Sequence, residues 1–170
     1  YHYSEIFYSA QGEGRYTGCP TAWLRFFTCN LQCNGFGQDD PTDESTYDLP
    51  YQDVNVEDYK TLEELPVFEK GCDSSYSWSK KFKHLQRSGT ADEIADRLLD
   101  IIPFDDFANK DALARQDIHL CFTGGEPLMK RSQQAVSEIM MALRHCGKQP
   151  NNITFETNGT QVLTQEFVEH

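Results

Sequence analysis

Hydrophobic and polar positions change rhythm several times along this chain. Residues 21–27 (TAWLRFF) form an apolar and aromatic run, which predicts a strand from Thr21 to Phe27. From 34 to 71 no period holds, and Pro41, Pro50 and Pro66 stand among repeated Asp and Gly. That stretch predicts irregular structure with one short helix near Thr61–Leu65. A helical spacing then appears. Ile94, Leu98 and Ile102 recur on one face, Ala95 and Leu99 widen it, and Pro103 ends it. Thr90 with Glu93 three residues later reads as a capping box at its start. Ile118–Phe122 predicts a short buried strand, turned by Gly124-Gly125. Gln133–His145 predicts a second helix, with Val136, Ile139, Met140 and Leu143 on one face and Gly147 as its stop. Ile153–Glu156 predicts a further strand closed by Asn158-Gly159, and a helix from Thr164 to His170 follows.

The order is strand, excursion, helix, strand, helix, strand. It predicts an α/β fold with a mostly parallel sheet. In such sheets ligands bind beyond the carboxyl ends of the strands. The three segments with the most chemistry fall there: CNLQC (29–33), TGGEP (123–127) and ETNGT (156–160).

Composition narrows the picture. The 170 residues suit a single domain, and 38% hydrophobic residues are enough for a core. The formal net charge of −12 disfavours a broad nucleic-acid footprint or adsorption to anionic lipid. No apolar run is long enough for a membrane helix, and no charged-then-apolar leader opens the chain. Most of the acidity is local. Residues 34–71 hold eleven Asp and Glu against two Lys, as expected for a solvated insertion or a surface that docks a basic partner. The chain starts at Tyr1 and stops inside a predicted helix, so the domain is expected to be incomplete at its C-terminus.

Six cysteines stand at 19, 29, 33, 72, 121 and 146. The close pair Cys29 and Cys33 suits a metal or cluster in a reducing, cytoplasmic setting better than a secreted disulfide scaffold. The same pair also suits two small buried hydrophobes. Gly124 and Gly125 let backbone approach a ligand closely, and Glu126 can accept from an ammonium group or stand exposed on a tight turn. Cys121, inside a predicted strand, reads as a buried structural thiol. His84 and His119 show no partner in the sequence.

Together CNLQC, TGGEP and ETNGT resemble the radical S-adenosylmethionine superfamily. EIFYSAQGEGRYTGCPTAWLRF (5–26) and CDSSYSW (72–78) resemble the 7-carboxy-7-deazaguanine synthase family within it. The resemblance is absent from 34–71. It implies a partial, open (β/α) barrel. It also implies a lyase that converts 6-carboxy-5,6,7,8-tetrahydropterin to 7-carboxy-7-deazaguanine with loss of ammonia. The implied cofactors are a [4Fe–4S] cluster, S-adenosylmethionine and Mg2+. By position, Cys29, Cys33 and Cys72 would bind the cluster, with Phe36 standing where the family's third cysteine usually falls. Gly124, Gly125 and Glu126 would hold the methionine end of the cofactor, and Glu156, Thr157 and Asn158 would lie near its ribose. Gln11, Glu13 and Arg25 would hold the pterin, and Ser74 would contact magnesium.

An electron donor such as flavodoxin and a homodimer that covers the open sheet edge complete the expectation. Two other readings compete. An activating enzyme for a glycyl-radical protein would share the cluster loop and GGEP, but has no use for QGEG, Arg25 or CDSSYSW. A non-catalytic metal-binding protein would explain Phe36, but not Glu126 and QGEG.

Overall fold

The computed structural model describes residues 1–103, 119–150 and 152–169. Strand β1 (His2–Ala10) leads into a loop that returns as β2 (Pro20–Phe26). The Gln11 N–H donates to the Cys19 carbonyl at 2.9 Å and closes that loop. The insertion follows, with a short helix α1 (Pro50–Asp53). After it come β3 (Arg87–Ser88), α2 (Ala91–Asp100), β4 (His119–Gly124), α3 (Lys130–His145), β5 (Ile153–Phe155) and α4 (Gln165–Glu169). The predicted residues Ile118 and His170 lie outside the described residues. No helix among the described residues is long and apolar enough to cross a membrane.

The sheet is open, in the order β3-β1-β2-β4-β5. β2, β4 and β5 pair in parallel and form the part of the sheet that the alternation predicts. β1 and β3 extend it in the antiparallel sense. They escaped the sequence reading because β1 has no clean alternation. Its register shifts between Tyr3 and Glu5, which is a bulge. The shift changes parity, so Tyr3, Ile6 and Tyr8 all join one core.

Local signals fixed the helices well. In α2 the Thr90 hydroxyl accepts from Glu93 N–H at 3.2 Å, and the Glu93 carboxylate accepts from Thr90 N–H at 2.8 Å. Gly147, at φ +68°, ends α3 by turning its own N–H back to the Arg144 carbonyl. One face of the sheet is covered by these helices. There Ala22, Leu24, Phe26, Leu120 and Phe122 pack against Ile94, Leu98, Ile139 and Leu143.

The insertion is loop-rich, with three 3-10 turns, of which Leu62–Glu64 stands where a short helix was expected. It is more than a solvated excursion. Tyr51, Leu62 and Phe68 bury themselves with Phe82 and Leu85 in a second apolar core. Its two ends meet. Gly71 N–H donates to the Phe36 carbonyl at 2.7 Å, and Lys70 pairs with Asp48 at 3.5 Å.

Candidate functional site

The three motif loops converge at the carboxyl ends of β2, β4 and β5. The parallel register puts Phe26 beside Gly124 and Phe122 beside Phe155. Gly125 N–H donates to the Phe26 carbonyl at 3.2 Å, and Glu126 N–H donates to the Thr28 carbonyl at 2.8 Å. This contact explains both glycines. Gly124 has φ +120°, and a Cβ there would overlap the backbone of Phe26. A Cβ on Gly125 would overlap the Thr28 carbonyl and press on Cys29. The glycines therefore seat TGGEP directly on the cysteine loop.

Glu126 is enclosed, and does not stand exposed on the turn. It is 0% exposed, and its carboxylate accepts from three donors of its own chain. Leu128 N–H and the Thr157 hydroxyl reach Oε1, and Asn158 N–H reaches Oε2, each at 2.8 Å. Glu126 ties TGGEP to ETNGT, and an ammonium group could join it only at the remaining capacity of Oε2. Asn158 continues the tie. Its side-chain amide donates to Asn30 Oδ1 at 3.1 Å and to Cys29 Sγ at 3.8 Å. Asn30 in turn donates to the Thr160 hydroxyl at 2.8 Å. Asn30 and Thr160 were missed, although N-x-T is a turn signal in which the Asn oxygen accepts two residues on.

Cys29, Cys33 and Cys72 are all half-buried, free thiols. Closure of the insertion neck brings Cys72 to the cysteine loop. Burial pushes the Cys33 thiol up from its ordinary value, and the charges of Cys72, Cys29 and Asp73 push it the same way. Burial also raises Cys72, opposed by donors at Trp78 and Ser74. Cysteine thiolates are the soft donors that an iron–sulfur cluster uses. Among the described residues no three His, Cys, Asp or Glu side chains converge tightly enough to hold a single metal ion. A four-iron cluster spreads its ligands over several atoms and does not need that convergence. The Ser74 hydroxyl accepts from Arg25 Nη1 at 3.2 Å, so a dication there would face the guanidinium.

The sheet face away from the helices is polar. Arg25 binds Glu5 at 2.9 Å and lies 6.0 Å from the centre of the Tyr76 ring. Burial pushes the Tyr76 phenol up to about 12, with Glu5 adding to the rise and Arg25 opposing it. Glu156 accepts from the Thr123 hydroxyl at 2.9 Å. Cys121 is buried as expected, and burial pushes its thiol up to about 11. His119 is not partnerless. Its ring nitrogens meet the hydroxyls of Thr21 at 2.9 Å and Thr154 at 2.7 Å, and Tyr16 stacks on it at 4.7 Å. Burial lowers its pKa below 6.5, against the pull of Glu156.

Gln11 and Glu13 are not gathered with the cysteines. β1 runs against β2, so QGEG stands at the amino end of β2 and the cysteine loop at the carboxyl end. Five residues of strand, about 17 Å, separate the Ala10–Pro20 pair from Glu5–Arg25. Gln11 is 6% exposed, and its side-chain oxygen accepts from Glu13 N–H at 3.2 Å.

The fold defines an open α/β domain in which the loops that carry CNLQC, TGGEP and ETNGT meet at the carboxyl ends of its parallel strands. Over nearly its whole length this domain is similar to 7-carboxy-7-deazaguanine synthases. It is 27% identical over 165 residues, or 97% of this chain, to the one from Thermoplasma acidophilum. It is 26% identical over 157 residues to the one from Methanospirillum hungatei. A 31-residue stretch is 58% identical to the one from Bacteroides thetaiotaomicron. The chain spans about half the length of these archaeal relatives, 49% and 42%. A solved structure titled QueE from Escherichia coli aligns over 96% of this chain and 55% of its own, with 20% identity and a TM-score of 0.40. No protein-family model matches the chain.

Proposed function

We propose that this chain serves a radical S-adenosylmethionine lyase of the 7-carboxy-7-deazaguanine synthase type. The reaction converts 6-carboxy-5,6,7,8-tetrahydropterin to 7-carboxy-7-deazaguanine with loss of ammonia. The observation that carries this reading is the similarity over 97% of the chain, which spans all three loops that meet at the strand ends. When bound, a [4Fe–4S] cluster and S-adenosylmethionine supply the one-electron chemistry that starts hydrogen abstraction from the substrate.

The chain's own residues bind, orient and exclude water. Cys29, Cys33 and Cys72 hold the cluster as thiolates. The Gly124-Gly125 turn and Glu126 frame the methionine end of the cofactor, and Glu156, Thr157 and Asn158 border its ribose. Arg25 takes the substrate carboxylate in place of Glu5, a charge-assisted pair that guanidinium geometry favours. Gln11 and Glu13 take the pterin ring edge, where an amide and a carboxylate can pair with its donors. Ser74 would contact magnesium through its hydroxyl, with Arg25 turned to the substrate. A donor such as flavodoxin delivers the electron, and a second copy covers the open sheet edge.

Anaerobic reconstitution with iron and sulfide tests this reading. About four irons per chain and an electron paramagnetic resonance spectrum changed by S-adenosylmethionine are expected. Cys72→Ala is expected to lose both. The reconstituted protein is then expected to release ammonia from the carboxylated tetrahydropterin. A protein that takes up only zinc, or no metal, overturns the reading.

A further inference from the structure

Arg25 does not stand free on the polar face. The antiparallel register sets Glu5 of β1 opposite Arg25 of β2, and Arg25 Nε donates to Glu5 Oε2 at 2.9 Å. The Tyr76 hydroxyl donates to the same oxygen at 3.3 Å. Gln86 Nε2 holds the Tyr76 carbonyl at 2.8 Å and fixes the segment from which that ring extends. Burial keeps the Tyr76 phenol at about 12, so it remains a donor at neutral pH. One carboxylate oxygen is thus shared between a guanidinium and a phenol.

This sharing matters once a second carboxylate arrives. The side chains of Arg25 and Glu5 are only 19% and 25% exposed, so the charges there are poorly screened. Two carboxylates on one guanidinium repel each other. Glu5 then gives way to the incoming group. A carboxylate that loses its partner inside a protein is costly. Glu5 escapes that cost because Tyr76 already holds it. Arg25 turns away from Glu5 and Ser74 together, and only Glu5 keeps a charge that needs a donor.

We propose that Glu5 and Tyr76 form a displaceable counter-ion for Arg25. Glu5 occupies the guanidinium in the empty site and passes to the Tyr76 hydroxyl when the substrate carboxylate arrives. Both are positioning residues, which act on the substrate through Arg25 and set how tightly its carboxylate is held. This inference rests on the substrate reading above.

6-Carboxypterin and unsubstituted pterin, titrated by their own fluorescence into the apo protein, test it without a cluster. Glu5→Gln keeps the shape of the side chain and removes its charge. It is expected to bind 6-carboxypterin about tenfold more tightly than the wild type, ~1.4 kcal/mol, and to bind pterin as before. A merely structural role would move both ligands together. Tyr76→Phe keeps the ring and removes the donor. It is expected to bind 6-carboxypterin several-fold more weakly, and to change nothing when added to Glu5→Gln. Equal or weaker binding of 6-carboxypterin by Glu5→Gln overturns the proposal, and so does a loss from Tyr76→Phe that persists in the double variant. If neither the wild type nor any variant binds 6-carboxypterin, the substrate reading falls and takes this proposal with it. If the wild type binds it and Glu5→Gln binds it no better, the proposal falls alone.

Discussion

On the helix-covered face of the sheet, Ala22, Leu24, Leu120 and Phe122 are fully buried against α2 and α3. On the opposite face the same strands carry Thr21, Trp23, Arg25, His119, Cys121 and Thr123. Most of these are just as buried, yet Thr21, Arg25, His119 and Thr123 are held by named partners rather than by contact area. Apolar neighbours are interchangeable to a degree, because dispersion and burial have no direction. A hydrogen-bonded or charged group is not, because removing one partner strands the other. The helix face is held by area, and the polar face is specified partner by partner.

That contrast can be broken most severely at Phe122. Phe122→Ala is expected to cost about 3–5 kcal/mol in urea unfolding, since it empties the middle of the apolar core. A loss below about 1 kcal/mol would show that the two faces do not differ as described. Gly125→Ala sits at the seam between the faces. Its Cβ collides with the Thr28 carbonyl, so a cost of about 1–3 kcal/mol is expected, together with loss of iron uptake on reconstitution. Normal iron loading in a folded variant would show that the cysteine loop does not depend on this seat.

Arg25→Met tests the polar face itself. The Arg25–Glu5 pair is partly solvated, so less than about 1 kcal/mol of stability is expected to go. Turnover of the proposed substrate is expected to fall at least ~10-fold, because a charge-assisted contact is lost. Wild-type kcat/KM would remove Arg25 from the site. The smallest effect is a pH dependence. His119 has its folded pKa lowered below 6.5 by burial, so the unfolded chain binds its proton more readily. The stability that the neutral ring contributes is present above 6.5 and is lost as the pH falls through the lower, folded value. Wild type is expected to show this acid-side loss in urea midpoints, and His119→Gln is expected to flatten it. Parallel pH curves for the two proteins would assign the loss to other groups.

Much of the helix face was legible in the sequence. Ile94, Leu98, Ile139 and Leu143 follow the helical period, and the capping box at Thr90 and the stop at Gly147 are local signals. The positions of the three motif loops at strand ends were legible too, since parallel alternation dictates them. β1 was hidden by its bulge, which no local rule announces. The partners of His119 were hidden because Thr21 and Thr154 lie on other strands. Glu126 could be picked out, but not its three donors, two of which come from more than 30 residues away. The core of the insertion was masked by its acidity, although Tyr51, Leu62 and Phe68 were there to be counted.

The pairing of Thr21 with His119 has a consequence in time. These residues are 98 positions apart, and β2 and β4 meet in parallel, so no hairpin can bring them together. Contacts of such long range are slow to form, since loop closure precedes any gain from pairing. TGGEP can settle on the cysteine loop only after this step. Until then the nascent chain carries its thiols on unseated backbone, open to oxidation and to stray metal. Under the proposed function, iron delivered early would meet separate cysteines, whereas iron delivered after the strands have zipped would meet the loops already seated on one another. The order of maturation is thereby written into the connectivity of the sheet.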